Sequence, residues 1–426
     1  ENYLMAAKDY AEFGAYEEAV ELLDDCPVKS PMIFYYKAFY QNKLRSDFKE
    51  TLVLAENHSS DYCFPNKLED IEVLKFAMSY GCEKRAPYYL GNLFYDKMQW
   101  QEAIEYWELS AKNDANFAIV HRNLSLAYYN KLGNREMAKK EMELALKLEP
   151  ENARIFLELD QLYKKLNWDN SSRLAEYEKN QDIIKQRDDL YIEYITLLNS
   201  CQRFEDAYQC LRNHHFHPWE GGEGKVTTQY KIALVEMAKS EMIKGNYDHA
   251  EDYLRNAFTY PENLGEGKLE GTKDNHIHYY LGIIHEIKGD QKAAELSFQK
   301  ATAKTDEPSG IMYYNDQPAD MILYQGMAYL KLGELTKAKA CFYRLIDFGE
   351  RNLEKEVKIE YFAVSLPDFL IYEEDYQKRN QAHCNYLIAL GNIGLGNREE
   401  ALKYLDKTEV LEPSHQMCVI YKNMIQ

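Results

Sequence analysis

The 426-residue sequence lacks the close cysteine pairs that metal sites and small disulfide-bonded domains require. Its eight cysteines stand far apart, without a C-x-x-C pair, and most lie among apolar residues. Zinc sites and disulfide frameworks show tighter spacing. We therefore expect reduced, packed thiols, which favours a reducing compartment.

Basic clusters and long apolar runs are lacking as well. The formal net charge is −19 and no long run of Lys or Arg occurs, although phosphate binding depends on such clusters. Nucleic acid and anionic membrane surfaces are therefore poor partners, and no apolar stretch is long enough to span a bilayer. Because the chain begins at Glu1 without a signal segment, we expect a cytoplasmic fragment or processed form of a longer protein.

Tyrosine, in contrast, is abundant. There are 36 Tyr against 17 Phe and 4 Trp. A tyrosine ring has an apolar body and a hydroxyl group that needs a partner or water. Such side chains suit half-exposed grooves.

Residues 118–150 show the pattern of a helical hairpin most clearly. Large apolar, aromatic, glycine, small and proline positions follow one another in it, at Leu124, Tyr128, Gly133, Ala138, Met142, Ala145 and Pro150. Alanine fits where two helices cross closely, glycine ends the first helix, and proline stops the second. This pattern resembles that of the tetratricopeptide repeat family.

Copies of the pattern recur along the chain, each with a small residue at the helix crossing. The crossing alanines are Ala19, Ala103, Ala138, Ala207, Ala250, Ala294, Ala338 and Ala401. Two poorer copies lie at residues 31–57 and 153–185. The resemblance implies an all-α solenoid, a right-handed superhelix of about twenty helices in hairpins, with a concave groove for a protein or peptide partner.

Spacing divides the copies into two sorts. Ala103 and Ala138 are 35 residues apart, near the usual period of about 34. Four later intervals are longer, at 43, 44, 44 and 63 residues between Ala207, Ala250, Ala294, Ala338 and Ala401, so each contains an insertion. We therefore predict degenerate repeats in residues 1–85, standard repeats in 86–212, and repeats with long insertions in 213–426.

The insertions combine aromatic rings, carboxylates, amides and histidines, the side chains of a pocket for a polar ligand. Trp219 offers a platform for a sugar ring, and the polar groups offer hydrogen bonds. The candidate ligand-binding residues are His217, Trp219, Glu220, Glu223, Lys225, Glu262, Asn263, Glu266, Lys268, Asn275, His276, His278, Asp316, Gln317 and Asp320. Because the four insertions occupy the same place in successive repeats, we expect them to meet at one edge of the solenoid.

Plainer interpretations of the same residues remain open. Asp274 and Asp316 suit helix N-caps, and Pro318 and Pro367 suit first helical positions. The loops would then be structural devices only.

Motifs that bind nucleotides or metals, or that catalyse reactions, mostly do not match the sequence. The Gly-Glu-Gly-Lys string ending at Lys225 has no Ser or Thr after the lysine, as a P-loop requires. His217, His276 and His278 could ligate a metal, but histidines two apart at a helix start point in different directions. Glu220 with Glu223, or Glu262 with Glu266, could act as general acid and base, but solvated or capping carboxylates are commoner. We assign no metal, no cofactor and no catalytic residue, so an enzymatic activity of the chain itself stays undecided.

The second half resembles a further family, the repeat tail of large bacterial proteins. The strings that resemble it are residues 217–225, 262–268, 274–278, 316–320 and 362–370. In that family an uncharacterised β-rich upstream region is similar to domains of sugar-processing enzymes. The resemblance implies a link to carbohydrate metabolism and a saccharide at the insertion edge. Alternatively, the chain is the accessory half of a glycoside-acting enzyme whose catalytic region is absent here.

Overall fold

The computed structural model describes residues 2–310, 317–357 and 371–425. Within these ranges the chain forms 23 α-helices and one short 3-10 helix, and no β-strand. The chain divides into two compact units, Glu1–Leu159 and Asp160–Gln426, called unit 1 and unit 2 below. The predicted divisions after residues 85 and 212 stay predictions.

Unit 1 contains nine helices, and a tenth crosses into unit 2. They are α1 (Asn2–Glu12), α2 (Tyr16–Asp24), α3 (Pro31–Lys43), α4 (Lys49–Asn57), α5 (Glu69–Ser79), α6 (Ala86–Asp96), α7 (Trp100–Asn113), α8 (Ala118–Asn130), α9 (Arg135–Leu148) and α10 (Ala153–Lys165).

The helices that lie wholly in unit 2 are longer on average. They are α11 (Asn170–Lys179), α12 (Gln181–Ile184), α13 (Asp188–Ser200), α14 (Phe204–Arg212), α15 (Lys225–Ile243), α16 (Tyr247–Asn256), α17 (Asn275–Ile287), α18 (Gln291–Ala301), α19 (Asp320–Lys331), α20 (Leu335–Asn352), α21 (Tyr376–Leu395), α22 (Arg398–Leu411) and α23 (Gln416–Ile425). The 3-10 helix is Glu262–Leu264.

Consecutive helices pack as hairpins around the predicted crossing positions. All eight crossing alanines are at most 2% exposed. In three repeats a glycine of the first helix faces the ring that lies sixteen residues later in the second helix. A Cβ atom on the glycine would come within 2.3 Å of the ring for Gly91 and Trp107, 2.5 Å for Gly282 and Phe298, and 2.4 Å for Gly326 and Phe342. These contacts confirm the predicted all-α solenoid of helical hairpins.

The turn between the two helices of a hairpin needs one residue in the left-handed region. Gly245 and Gly289 supply it with a φ of +81°, which glycine adopts without steric cost. Where the repeat lacks that glycine, Met98 and Gln202 adopt φ values of +60° and +62°. The turn geometry therefore persists in copies whose sequence pattern is weaker.

The four insertions lie where the spacing predicts them, between the second helix of one hairpin and the first helix of the next. They separate α14 from α15, α16 from α17, α18 from α19, and α20 from α21. Part of the fourth, residues 358–370, lies outside the described residues, including Pro367. All eight cysteines are free, and six of them are buried.

Candidate functional site

The first two insertions pack against each other. The Phe216 N–H donates to the Asn263 carbonyl at 2.9 Å, and the Phe216 side chain is buried. The Asn263 side-chain amide donates to the carbonyl groups of Leu211 and His214, both at 2.7 Å. The first and second insertions therefore pack together, and Asn263 links them.

Glu266 ties the second insertion to the start of α15. Its two carboxylate oxygens accept the Gly224 N–H at 2.9 and 3.1 Å, at the positive end of the helix dipole. Burial raises the pKa of Glu266, and the Gly224 hydrogen bond opposes that rise. Glu266 thus has a structural partner already, as expected if the loops only connect and cap the helices.

Trp219 lies half-buried in the first insertion. Its ring covers the backbone of Gly222 so closely that a Cβ atom there would lie 2.0 Å from it. The His217 side chain remains 85% exposed, although its Nδ1 is 3.2 Å from the Asp188 carboxylate. Glu220 and Glu262 are exposed, whereas Glu223 and Lys225 are partly exposed.

Other predicted site residues support the fold where the second insertion ends and the third begins. The Lys268 ammonium group donates to the Phe258 carbonyl at 3.0 Å and also binds the Asp274 carboxylate. The Asn275 side chain donates to the carbonyl groups of Ala301 and Ala303 at 2.8 and 3.0 Å.

The structure tests two of the predicted positions at helix starts, Asp274 and Pro318. Helix α17 begins directly after Asp274, but the Asp274 side chain makes no capping hydrogen bond; its Oδ2 binds Lys268. Pro318 lies two residues before α19 rather than in its first turn. Gln317 accepts the Asp306 N–H at 3.0 Å, and Asp316 lies outside the described residues.

The first helices of unit 2 lie side by side: α13 contacts α15, α17 contacts α19, and α19 contacts α21. Helix α23 also contacts α13. Gln416 thereby reaches the carbonyl of Thr196, 220 residues away in the chain. We call the surface that α23 shares with the first helices α13, α15, α17, α19 and α21 the inner face.

A group of polar and aromatic side chains lies on the inner face, which we call the inner cluster: Lys231, Lys239, His276, Tyr280 and Tyr324. The hydroxyl oxygens of Tyr280 and Tyr324 are 3.1 Å apart. The Lys239 ammonium group lies 5.8 Å from the centre of the Tyr280 ring, and the His276 and Tyr324 ring centres are 5.9 Å apart. Three successive first helices, α15, α17 and α19, thus contribute to one cluster.

The electrostatics of the inner cluster disfavour further positive charge. Burial lowers the pKa of His276 well below its usual range, and the neighbouring Lys231, His278 and Lys239 lower it further. His276 keeps part of its surface accessible, yet its Nδ1 has no hydrogen-bond partner among the described residues. The cluster therefore holds a neutral imidazole with one unused polar atom beside two ammonium groups.

Asp320 lies next to this cluster at the start of α19. It is buried, and its carboxylate accepts a hydrogen bond from the Tyr386 hydroxyl. Burial raises the pKa of Asp320 from 3.8 to about 6. Sequence reasoning selected His276 and Asp320 but missed Lys231, Lys239 and the tyrosines. The high tyrosine content was the only signal for the tyrosines.

Two groups of predicted site residues can be distinguished. One group lies in the packed first and second insertions, around Trp219, Asn263 and Glu266. The other, Asn275, His276, His278 and Asp320, lies on the first helices α17 and α19. A single pocket that joins Trp219 to His276 stays a prediction. In the described ranges, no three His, Cys, Asp or Glu side chains are grouped so that they could hold a metal ion.

The fold defines a helical-repeat protein of tetratricopeptide type, and such repeats indicate a binding or scaffold module. Two segments match family models of the tetratricopeptide repeat, residues 123–152 and 320–347. Over the part of the chain that the structure describes, no helix is long and apolar enough to cross a membrane.

Solved structures similar to this chain are repeat proteins of low sequence identity. A tetratricopeptide repeat protein from Parabacteroides merdae is 14% identical over 70% of this chain and 98% of its own, with a TM-score of 0.30. YrrB, described as a TPR protein with an unusual peptide-binding site, is 18% identical over 59% of this chain and 96% of its own, with a TM-score of 0.21. The structure of Naa15/Naa10 bound to HypK-THB is 13% identical over 100% of this chain and 60% of the matched chain, with a TM-score of 0.29.

Proposed function

We propose that this protein is a binding scaffold that holds an acidic peptide segment of a partner protein on the inner face of unit 2. The observation that carries the proposal is the inner cluster, where the buried, unused His276 Nδ1 lies near Lys231 and Lys239 and the residue His276 stays partly exposed. A carboxylate there would meet charge-assisted donors. The rings of Tyr280 and Tyr324 would contact the apolar part of the peptide.

Local charge supports an acidic ligand. Three lysines lie around His276, namely Lys231, Lys239 and Lys268. Among the described residues, two carboxylates pair with these lysines: Glu236 lies 2.8 Å from Lys239, and Asp274 lies 4.0 Å from Lys231 and also binds Lys268. The chain as a whole has a net charge of −19. A cluster of lysines on such a chain attracts acidic rather than basic segments of a partner. Repeat solenoids use extended inner surfaces of this kind for binding.

Binding can be tested with fluorescein-labelled peptide pools of acidic, neutral and basic composition, measured by fluorescence anisotropy. We expect the acidic pool to bind the wild-type protein, more weakly at high salt because salt screens charges. Lys231→Ala should weaken that binding about tenfold, the effect of losing one charge-assisted contact. Lys292→Ala, at an exposed lysine on α18, is the matched control and should leave it unchanged. Equal binding by both variants, or a preference for the basic pool, contradicts the proposal.

A saccharide at the insertion edge is a second candidate, supported by the half-exposed ring of Trp219 above Gly222 and beside the exposed Glu220. Sugar rings stack on such indole faces while carboxylates bind their hydroxyls. Trp219→Ala should abolish sugar binding in calorimetry and leave the thermal midpoint almost unchanged. A stability loss of about 3–5 kcal/mol would instead show that Trp219 is a core residue. The accessory role in a glycoside-acting enzyme rests on the second family resemblance alone.

A further inference from the structure

The C-terminal helix α23 covers part of the inner face through a network of amide hydrogen bonds. The Gln416 Nε2 donates to the Gln229 Oε1 at 2.9 Å and to the Thr196 carbonyl at 3.1 Å. In return, the Gln229 Nε2 donates to the Gln416 Oε1 at 3.0 Å. Asn199 completes the network by donating to the Gln229 Oε1 at 2.9 Å. Two side-chain amides from helices far apart in sequence therefore satisfy each other.

The same helix brings an aromatic ring to the tyrosines beside the inner cluster. The Tyr421 ring centre lies 6.2 Å from that of Tyr386, and Tyr421 is near enough to Tyr324 to help raise the pKa of that buried hydroxyl. Tyr421 itself is 1% exposed. Helix α23 thus closes one side of the surface to which the acidic peptide is proposed to bind.

Helix α23 is held by buried side chains and by hydrogen bonds. Cys418, Ile420 and Tyr421 are buried, and the polar links to α13 and α15 are the hydrogen bonds of Gln416, a half-buried residue, each of which contributes about 1 kcal/mol net. Buried polar networks of this kind fix which partner fits more than they add stability. Another helix that offers the same amide and the same buried side chains can therefore take the place of α23.

We propose that α13 and α15 form a helix-binding seat that α23 fills within the chain, and that a partner helix with the same pattern can displace it. The pattern is an amide at the position of Gln416, followed by an aliphatic residue at Ile420 and a tyrosine at Tyr421. This inference rests on the proposed function, because release of α23 opens the inner face to its ligand. The seat itself can be tested without that ligand.

The test uses the full chain and a labelled peptide with the sequence of residues 412–426. Gln416→Ala loosens the internal helix but keeps the seat. We therefore expect amide exchange in α23 to be about tenfold faster in Gln416→Ala than in the wild-type protein. We also expect Gln416→Ala to bind the peptide at least about tenfold more tightly than the wild-type protein does. Gln229→Ala damages the seat, so α23 should exchange faster but the peptide should not bind. Far-UV circular dichroism must show unchanged helix content in both variants.

Gln209→Ala, at an exposed glutamine on α14, is the control and should change neither measurement. The proposal is overturned if amide exchange in α23 is unchanged in both Gln416→Ala and Gln229→Ala. It is also overturned if the two variants bind the peptide equally, or if neither binds it. If the seat is confirmed but no acidic peptide binds to Gln416→Ala, the proposed ligand is wrong while the seat stands.

Discussion

The buried carboxyl group of Asp320 gives the sharpest prediction about the inner face. Its pKa is about 6 in the folded chain against an ordinary value of 3.8, so the folded state binds this proton more tightly than the unfolded state. The associated stability is present below the unfolded pKa and is lost as the pH rises through about 6. At about 1.4 kcal/mol for each pKa unit, the loss is at most roughly 3 kcal/mol.

Asp320→Asn should remove this loss, because asparagine does not ionise and its side-chain oxygen can still accept the Tyr386 hydrogen bond. Relative to wild type, the variant should gain up to roughly 3 kcal/mol between about pH 4 and pH 7. Urea denaturation followed by circular dichroism at both pH values measures this difference. The lowered pKa values of His276 and His383 affect both proteins alike and cancel.

The control is Asp306→Asn, at an exposed aspartate, which should show no such gain. If Asp320→Asn gives the same stability change at both pH values, Asp320 is not a buried carboxyl with a raised pKa, and the description of the inner face is wrong.

Two further predictions concern packing in unit 2. A Cβ atom at Gly391 would lie 2.6 Å from the Phe342 carbonyl oxygen. Overpacking costs about 1–3 kcal/mol and alanine regains about 1 kcal/mol of helix propensity. Gly391→Ala should therefore lower stability by up to about 2 kcal/mol in thermal denaturation. Gly267→Ala, with no atom within 4 Å, should not lower it. Arg173 binds the buried carboxylate of Asp160 at 2.7 and 2.8 Å. Arg173→Ala leaves that carboxylate without its cation and should lower the free energy of unfolding by about 3–5 kcal/mol in urea denaturation. A loss below about 1 kcal/mol would contradict this.

The sequence predicts the repeat architecture well because each repeat depends on short-range geometry. A crossing alanine, a turn glycine and a ring at fixed separations can be recognised within one hairpin, as for Gly282 and Phe298. The positions of the insertions follow from the spacing of the alanines. In the poorer copies the repeat pattern does not show which residues form the core. Arg173 and Asp160 form a buried ion pair in one of these copies, and no sequence argument selected them.

The candidate site was harder to predict because it depends on contacts between distant repeats. Asp320 meets Tyr386 across 66 residues, and Gln229 meets Gln416 across 187. Such contacts depend on small rotations added over many repeats, which no single pattern encodes. For the same reason, the sequence selected Asn263 and Glu266 as ligand-binding residues without showing that they bond to neighbouring loops.

The most direct measurement of the central claim is the titration of His276 itself. Histidine labelled with ¹³C at Cε1 can be followed by NMR, and His276→Phe assigns its signal. We expect the free protein to show a His276 pKa well below the ordinary value, because of burial and the nearby lysines. Addition of the acidic peptide pool should raise that pKa, since a carboxylate nearby favours the charged imidazole. A His276 signal whose titration is unchanged by a bound acidic peptide would contradict the proposal that the inner cluster is the binding site.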